Sequence, residues 1–256
     1  MKLAGRTALV TGGAVRIGRA LVDRLLQAGV RVCVHSHRPV AEIVKLFPEA
    51  PVTRSLSEDA PVGAGSATSL CFVSADLSNP VTAARTVVAQ AVQELGTIDF
   101  LINNAAIFEP GTLVTTDEAS WDRQLTLNLK APTFLCQAFA KQVPANSVGK
   151  IVNIIDWRGL RPPVGHLAYT ISKAGLVALT QVLAQELAPR ILVNGIAPGA
   201  ILPPPGADQD HLQRITKRIP LRRTGSPADI AEALIYLLQA DFVTGEILSV
   251  TGGEGL

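Results

Sequence analysis

The sequence has few charged residues and almost no excess of one sign. Asp, Glu, Lys and Arg make up 17% of the 256 residues, and the formal net charge is +2. Proteins that bind nucleic acid or an anionic membrane through charge carry a clear excess of Lys and Arg. Neither nucleic acid nor a membrane surface is therefore expected as a partner.

Cysteine is also scarce. The three cysteines, Cys33, Cys71 and Cys136, are odd in number, lie far apart and lack the spacing of a metal site. They are expected to be buried thiols in a reducing compartment, which favours a cytoplasmic protein. No apolar run is expected to span a membrane, and the amino-terminal run meets glycines before it reaches the length of a signal peptide.

Strand-like and helix-like segments alternate along the chain. Short runs of β-branched and apolar residues are each followed by a helical pattern, and 48% of the residues are hydrophobic. This alternation predicts an α/β fold, a single-domain doubly wound parallel sheet with helices on both faces. Residues 48–69 are rich in Pro, Gly and small polar residues, and they predict an irregular surface loop within that one domain.

A glycine-rich loop joins the first strand, Thr7–Thr11, to a helix predicted at Arg19–Ala28. Strand, glycine turn and helix form the context in which a dinucleotide binds, because free N–H groups at the start of a helix accept a pyrophosphate. The alternative is a tight turn with no ligand. The candidate cofactor-binding residues of this loop are Gly12, Arg16, Ile17 and Gly18.

The second strand, predicted at Val30–Val34, is followed by a polar turn without an acid. NAD-binding folds usually carry Asp or Glu here to hold the ribose 2′-hydroxyl, whereas the 2′-phosphate of NADP suits cationic and hydroxyl groups. The turn therefore predicts NADP(H), although a basic loop without a ligand is the alternative. The residues of the turn are His35, Ser36, His37 and Arg38.

Polar residues also follow the third and fourth predicted strands. Asp76 and Leu77 are placed to contact an adenine ring, although Asp76 could instead be an acid at the start of the next helix. Asn104 and Ala105 come directly after the fourth strand, where a side-chain amide can tie strand ends together and bind a ribose. Phe108 is either a core aromatic or a stacking platform beside the cofactor.

The segment from Ile151 to Lys173 carries the candidate chemistry. Asp156 follows a buried strand, and Tyr169 and Lys173 lie one helical turn apart, so that both project from one face. A carboxylate, a phenol and an ammonium in one cleft can perform acid–base catalysis. Asn128 lies within a helix predicted at Trp121–Val143, and it is either functional or a solvent-facing amide.

Taken in order, these motifs resemble the short-chain dehydrogenase/reductase superfamily, which has a Rossmann-like fold. The residues that carry the resemblance are Thr11-Gly12-Gly13, Gly18, Asn103-Asn104-Ala105, Asn128, Tyr169, Lys173 and Pro198-Gly199. The resemblance covers essentially the whole chain. It implies that Asn128 belongs to the catalytic set, that Pro198 and Gly199 contact the cofactor, and that the protein is a homotetramer.

Within the superfamily the chain is most similar to pteridine reductases. Arg16 in the glycine loop, the turn at 35–38, Phe108 and an Asp at position 156 in place of the usual Ser carry this similarity. It implies an NADPH-dependent reductase of a pterin or folate. Phe108, Arg16, Asp156 and Tyr169 would contact the substrate, with Arg16 alternatively on the cofactor pyrophosphate or in solvent.

In the expected mechanism Tyr169 donates the proton, and Lys173 lowers the pKa of the phenol and binds the nicotinamide ribose. Asp156 pairs with N–H groups of the pterin or relays a proton; otherwise it is a structural acid paired with Arg158 or Arg161. Two other functions remain open. One is a carbonyl or 3-oxoacyl-thioester reductase of the same superfamily, and the other is a non-catalytic NADP-binding sensor.

Overall fold

A computed structural model describes residues 1–48, 69–203 and 211–256. All seven strands in this part of the chain belong to one parallel sheet in the order β3-β2-β1-β4-β5-β6-β7. The strands are β1 (Thr7–Thr11), β2 (Arg31–Ser36), β3 (Leu70–Ser74), β4 (Phe100–Asn103), β5 (Gly149–Ile154), β6 (Ile191–Pro198) and β7 (Ile247–Val250). This is the predicted doubly wound, Rossmann-like sheet, and the prediction is confirmed.

Helices cover both faces of the sheet. They are α1 (Arg16–Gln27), α2 (Val40–Lys45), α3 (Pro80–Leu95), α4 (Glu118–Leu125), α5 (Ala131–Gln142), α6 (Leu167–Leu187), α7 (His211–Thr216) and α8 (Pro227–Gln239). The buried side chains of α1, α2 and α8 pack on one face, and those of α3, α5 and α6 pack on the other. Each face therefore has its own apolar core, as a sheet buried on both sides requires.

Several element boundaries differ from the sequence prediction. β2, predicted to end at Val34, extends to Ser36, and β6, predicted from its apolar run to end at Asn194, extends to Pro198. Polar and small residues continue the pairing with the neighbouring strands. The short helix α2 was not predicted. The helix predicted at Trp121–Val143 is interrupted by a π-helical turn at Thr126–Lys130, which separates α4 from α5.

Two expectations about unusual segments can be compared with the structure. Of the loop predicted at 48–69, residues 49–68 lie outside the described residues. By length and composition one described helix, α6, is apolar enough to cross a membrane, contrary to the expectation from the sequence. The core helix of a globular domain passes the same test, and α6 buries Leu176, Thr180 and Ala184 inside the protein.

Candidate active site

The predicted site residues gather at the carboxyl edge of the sheet. The loops after β1, β2, β4 and β5 all leave from this edge, since every strand runs in the same direction. In open parallel sheets ligands bind in the crevice outside this edge, where the strand order reverses. Here the reversal lies between β1 and β4, the strands that deliver the glycine loop and Asn104.

The glycine loop folds tightly against Asn104. Gly12 has a φ of 61°, in the left-handed region that favours glycine. The side-chain amide of Asn104 donates to the carbonyl oxygens of Thr11 and Gly12 at 2.9 and 3.0 Å. A Cβ atom on Gly18 would lie 2.2 Å from the Gly12 carbonyl oxygen, so any larger residue would push α1 away from the loop. The amide thus ties the strand ends together, as predicted.

The first turn of α1 offers open N–H groups. Its cap residue, Val15, makes no side-chain capping bond, and the first turn carries no acid. The positive end of the helix is therefore free to bind an anion. Arg16 is exposed and donates to the Pro203 carbonyl oxygen at 2.9 Å, so it links the loop to the chain after β6. Ile17 is partly buried beside it.

His35 is inside the sheet and not in the turn where it was predicted. Its Nε2 lies 3.0 Å from the Ala75 carbonyl oxygen, and its Nδ1 lies 3.4 Å from the Gly12 nitrogen. Burial lowers the pKa of His35 to about 4, so the ring is neutral at pH 7. The side chain thus joins β3 and the glycine loop to β2, and it is not available to a phosphate.

The remaining residues after β2 are arranged differently. Ser36 is buried, and its hydroxyl accepts from the Arg38 main-chain nitrogen at 3.3 Å. His37 and Arg38 are exposed at the carboxyl edge. The His37 imidazole and the Arg38 guanidinium could therefore contact a phosphate bound beside the glycine loop.

Asp76 and Leu77, after β3, were predicted to contact an adenine ring. The exposed Asp76 carboxylate accepts from the main-chain nitrogen and hydroxyl of Ser78 at 2.9 and 2.7 Å, which lowers its pKa. Leu77 is buried in the core beneath α3. Asp76 therefore shapes the turn before α3, and the contact of either residue with adenine stays a prediction.

Asn128 is completely buried in the π-helical turn, so the solvent-facing alternative is wrong. Its Oδ1 accepts from the Ile107 nitrogen at 2.9 Å, and its Nδ2 donates to the Ile107 carbonyl oxygen at 3.0 Å and to the Ser172 hydroxyl at 3.1 Å. The amide holds the segment before Phe108 against the helix that carries Tyr169. In the structure Asn128 is a positioning residue, and its predicted catalytic role stays a prediction.

The three predicted acid–base residues come together. The Tyr169 hydroxyl donates to Oδ2 of Asp156 at 3.0 Å. Oδ1 of Asp156 accepts from the Arg158 nitrogen at 2.8 Å, and the Arg158 guanidinium lies 3.4 Å from the same oxygen. Lys173 donates its Nζ proton to the Ile154 carbonyl oxygen at 2.8 Å. Asp156 therefore forms the ion pair with Arg158 that was expected if it were a structural acid. It also accepts the hydrogen bond of the Tyr169 phenol.

The ionisation of the phenol differs from the expectation. Burial and the Asp156 carboxylate raise the pKa of Tyr169 well above its ordinary value, and only Arg158 opposes them. The prediction that Lys173 lowers this pKa is wrong for the free protein, because an anion and not the ammonium contacts the hydroxyl. Burial lowers the pKa of Lys173 to about 8, although Asp156 favours its charged form. Tyr169 is thus a neutral phenol that keeps its proton at pH 7.

An aromatic wall lies beside the phenol. Phe108 is 37% exposed, so it is not a core residue. Its ring contacts Tyr169 edge-on with centroids 4.7 Å apart and stacks on His166 at 4.3 Å. The Arg158 guanidinium lies 5.0 Å from the Trp157 ring centroid and 5.5 Å from that of Phe108. His166 and the aromatic contacts of Arg158 were missed, although both residues flank predicted ones in sequence.

Pro198 and Gly199 end β6 at the same edge. The Gly199 nitrogen donates to the Val250 carbonyl oxygen at 3.0 Å. A Cβ atom on Gly199 would lie 2.8 Å from a carboxylate oxygen of Glu254 and equally close to Thr251. Glycine at this position thus lets the carboxyl-terminal residues close one side of the cleft.

The cleft suits a phosphate-bearing dinucleotide. The uncapped start of α1, the close approach allowed by Gly18 and the exposed Arg38 provide places for phosphates. Among the described residues, no group of three or more His, Cys, Asp or Glu side chains could hold a metal ion. A nicotinamide cofactor fits this set of residues, and it supplies the hydride that the side chains lack.

Sequence comparisons with known proteins identify reductases, as the residues of this site lead us to expect. Residues 13–254 match the family model described as enoyl-(acyl carrier protein) reductase. An acetoacetyl-CoA reductase from an Acinetobacter species is 33% identical over 97% of this chain and 97% of its own length.

Solved structures extend the comparison. FolM alternative dihydrofolate reductase 1 from Brucella canis, complexed with NADP, is 32% identical with a TM-score of 0.86, covering 99% of this chain and 95% of its own. The Brucella suis protein, also with NADP, has the same identity and TM-score, with coverages of 100% and 96%. The prediction of NADP(H) as the cofactor is confirmed, because both of these similar structures are NADP complexes. Because the matching family model spans residues 13–254, the chain belongs to that family, within the short-chain dehydrogenase/reductase superfamily of oxidoreductases.

Proposed function

We propose that the protein is an NADPH-dependent reductase of a pterin or folate ring. One observation carries the proposal: the proton donor, Tyr169, is hydrogen-bonded to the carboxylate of Asp156 at 3.0 Å. A carboxylate at this place repels the oxyanion that develops when a carbonyl is reduced. A ring nitrogen is more basic than a carbonyl oxygen and can take up its proton before the hydride reaches the neighbouring carbon, so a C=N bond suits this site better.

Each side chain has a separate role around the cofactor, which would supply the hydride when bound. The glycine loop and Arg38 would hold its phosphates, and the Lys173 ammonium would orient its ribose. Tyr169 gives its proton to the ring nitrogen. A phenolate next to Asp156 is unfavourable, because two negative charges would face each other. The phenolate therefore recovers a proton from solvent, with Asp156 as the relay: its carboxylate accepts the proton and passes it to the phenolate oxygen.

A second candidate is reduction of an oxoacyl thioester. The acetoacetyl-CoA reductase favours it by sequence, whereas the Brucella proteins, named alternative dihydrofolate reductases, favour the pterin or folate. Asp156 distinguishes the two, because the common Ser would donate to a carbonyl and a carboxylate does not.

A substrate panel tests the proposal. NADPH oxidation is measured with dihydrobiopterin, dihydrofolate, dihydromonapterin and acetoacetyl-CoA. We expect turnover with at least one of the first three and much lower kcat/KM with the thioester. Turnover with the thioester alone would replace the proposal by the second candidate. Tight NADPH binding with no turnover on any of them would favour a non-catalytic sensor.

We expect a strong preference for NADPH over NADH. His37 and Arg38 are exposed after β2, where no acid is present to hold a 2′-hydroxyl. Replacing Arg38 with Ala should weaken NADPH binding about tenfold, the loss of one charge-assisted contact, and leave NADH binding unchanged. Arg85→Ala, on the exposed face of α3, is the matched control. Equal catalytic efficiency with both cofactors in the unaltered protein would contradict the assignment.

The basic limb of the pH profile should report Lys173. Burial lowers its pKa to about 8, so kcat/KM should fall as the pH rises above 8 and the ammonium is lost. A Lys173→Arg variant, which stays charged, should lose this limb even if its activity is low. Stability changes in the opposite direction: between about 8 and the ordinary 10.5 the unfolded chain holds the proton more tightly, so this residue favours folding as the pH rises.

The assembly and location are part of the proposal. We propose a cytoplasmic homotetramer, the assembly implied by the resemblance to the superfamily. Three free, buried cysteines support a reducing compartment. Exposed apolar side chains on α6 and after α8, Ile171, Val182 and Phe242, support association through these surfaces. Sedimentation equilibrium tests the assembly, and a monomer would contradict it.

A further inference from the structure

The Asp156 carboxylate has little capacity left to bind a substrate, because both of its oxygens are engaged. Oδ2 accepts from the Tyr169 hydroxyl, and Oδ1 accepts from the main-chain nitrogen of Arg158 and lies 3.4 Å from its guanidinium. These contacts hold the carboxylate in the orientation that serves the phenol. A substrate that presents N–H groups to the cleft therefore needs another acceptor.

A second carboxylate, that of Glu254, lies at the same edge of the sheet. Its Oε2 accepts from the Ala200 nitrogen at 2.6 Å, and it lies 2.8 Å from the place that a Cβ atom on Gly199 would take. Gly199 and Ala200 follow β6, and β6 pairs with β5, the strand that leads to Asp156. The Glu254 carboxylate is therefore held beside the loop after β6, next to the loop that carries the acid–base residues.

The chain after β7 folds closely against its neighbours around Glu254. A Cβ atom on Gly253 would lie 2.7 Å from Cγ of Pro220, and one on Gly255 would lie 3.1 Å from a carbon of the Trp157 ring. Only glycine allows both approaches without a shift of the chain. The residues on either side of Glu254 are thus fixed between Pro220 and Trp157, which fixes the position of its side chain.

The Glu254 carboxylate keeps one acceptor unused. Among the described residues only Oε2 receives a hydrogen bond, whereas Oε1 receives none and is not cut off from solvent. Burial raises the pKa of Glu254, and the charge of Asp156 adds to this effect, while the Ala200 N–H and the Arg158 guanidinium oppose it. Glu254 therefore lies within electrostatic reach of the residues that position the proton donor, and it has an oxygen available to a ligand.

We propose that Glu254 is a specificity-determining residue whose Oε1 accepts an N–H from the substrate ring. An ionised carboxylate only accepts hydrogen bonds, so it selects a donor and repels an oxo group. The inference rests on the proposed function, because it names the part of a pterin that the site recognises, the exocyclic 2-amino group. Ala200 orients the Glu254 carboxylate, and Asp156 remains with the phenol.

Binding without turnover tests this role, with saturating NADP⁺ so that no hydride is transferred. Pterin is compared at pH 7 with lumazine, in which an oxo group replaces the 2-amino group, by fluorescence titration. In Glu254→Gln the amide oxygen can keep the bond from Ala200, and the amide NH₂ then takes the place of Oε1. Pterin should bind more weakly and lumazine more tightly, so that the preference for pterin falls on the order of tenfold or more.

Glu246→Gln, an exposed acid before the opposite end of β7, is the matched control and should keep the preference of the unaltered protein. An unchanged preference in Glu254→Gln would overturn the inference and leave the proposed function intact. An equal loss for the two pteridines would also overturn it, because it would show a role in shaping the cleft only. Weaker NADP⁺ binding with an unchanged preference would place the contact on the cofactor, with the same consequence. If the unaltered protein binds NADP⁺ but neither pteridine, the proposed function fails, and the inference fails with it.

Discussion

Replacing Tyr169 with Phe is expected to lower the rate of pterin reduction about 10²- to 10⁴-fold, the usual contribution of a positioned proton donor. The phenol is buried, 6% exposed, and within the described part of the chain its hydroxyl bonds only to Asp156, so no other hydroxyl replaces it at this point. NADPH affinity should remain nearly unchanged, because in the proposed function other residues hold the cofactor phosphates and ribose. Single-turnover measurement of NADPH oxidation separates the two effects.

The chain offers a matched control, since its second tyrosine, Tyr236, is exposed on α8. Tyr236→Phe should leave both turnover and cofactor binding unaltered. A Tyr169→Phe variant with normal turnover would remove Tyr169 from the role of donor. A variant that lost NADPH binding as well would show that the phenol supports the cofactor site and not the chemistry alone.

Replacing Asp156 with Asn is expected to lower pterin turnover about 10²-fold or more and to lower the pKa of Tyr169 at the same time. The carboxylate is, after burial, the main cause of the raised phenol pKa, and Asn has no charge. The phenol pKa can be measured directly. In a Tyr236→Phe background, Tyr169 is the only tyrosine, so the ultraviolet absorption of phenolate reports this residue alone.

Asp122→Asn, on the exposed face of α4, is the control for the charge change. A phenol pKa that stays as high in Asp156→Asn would show that burial alone sets it. Unchanged pterin turnover would contradict the role of Asp156 as a relay. A rise in activity towards acetoacetyl-CoA, with loss of pterin activity, would further support Asp156 as the residue that separates the two substrate classes.

Much of the fold could be predicted because its signals are local. β1 lies at Thr7–Thr11, where its β-branched run was predicted, and the alternation of strand-like and helix-like segments predicted the parallel sheet. The ends of β2 and β6 were harder to predict, because His35 and Gly195 are not typical strand residues. They are paired there by neighbouring strands that are distant in sequence.

The residues that form the site were predicted better than the charge interactions between them. Spacing alone places Tyr169 and Lys173 on one helix face. It does not say which charge contacts the phenol, because that depends on how β5 and α6 pack. The 3₁₀ turn after Asp156, Trp157–Gly159, directs Arg158 back onto the carboxylate. His166 was missed for a similar reason, since its contact with Phe108 joins two loops that are distant in sequence.

The π-helical turn at Thr126–Lys130 makes the site sensitive to chain length as well as to side-chain identity. Such a turn contains one residue more than a regular helix needs. Deleting a single residue there would restore regular hydrogen bonding, but it would rotate α4 by about 100° relative to α5. Asn128 would then leave Ile107, and the wall at Phe108 would lose its anchor. A regular α-helix through this segment and an ordered wall at Phe108 are therefore mutually exclusive. With that wall as the proposed substrate contact, relatives that differ in length here should differ in the substrates they accept.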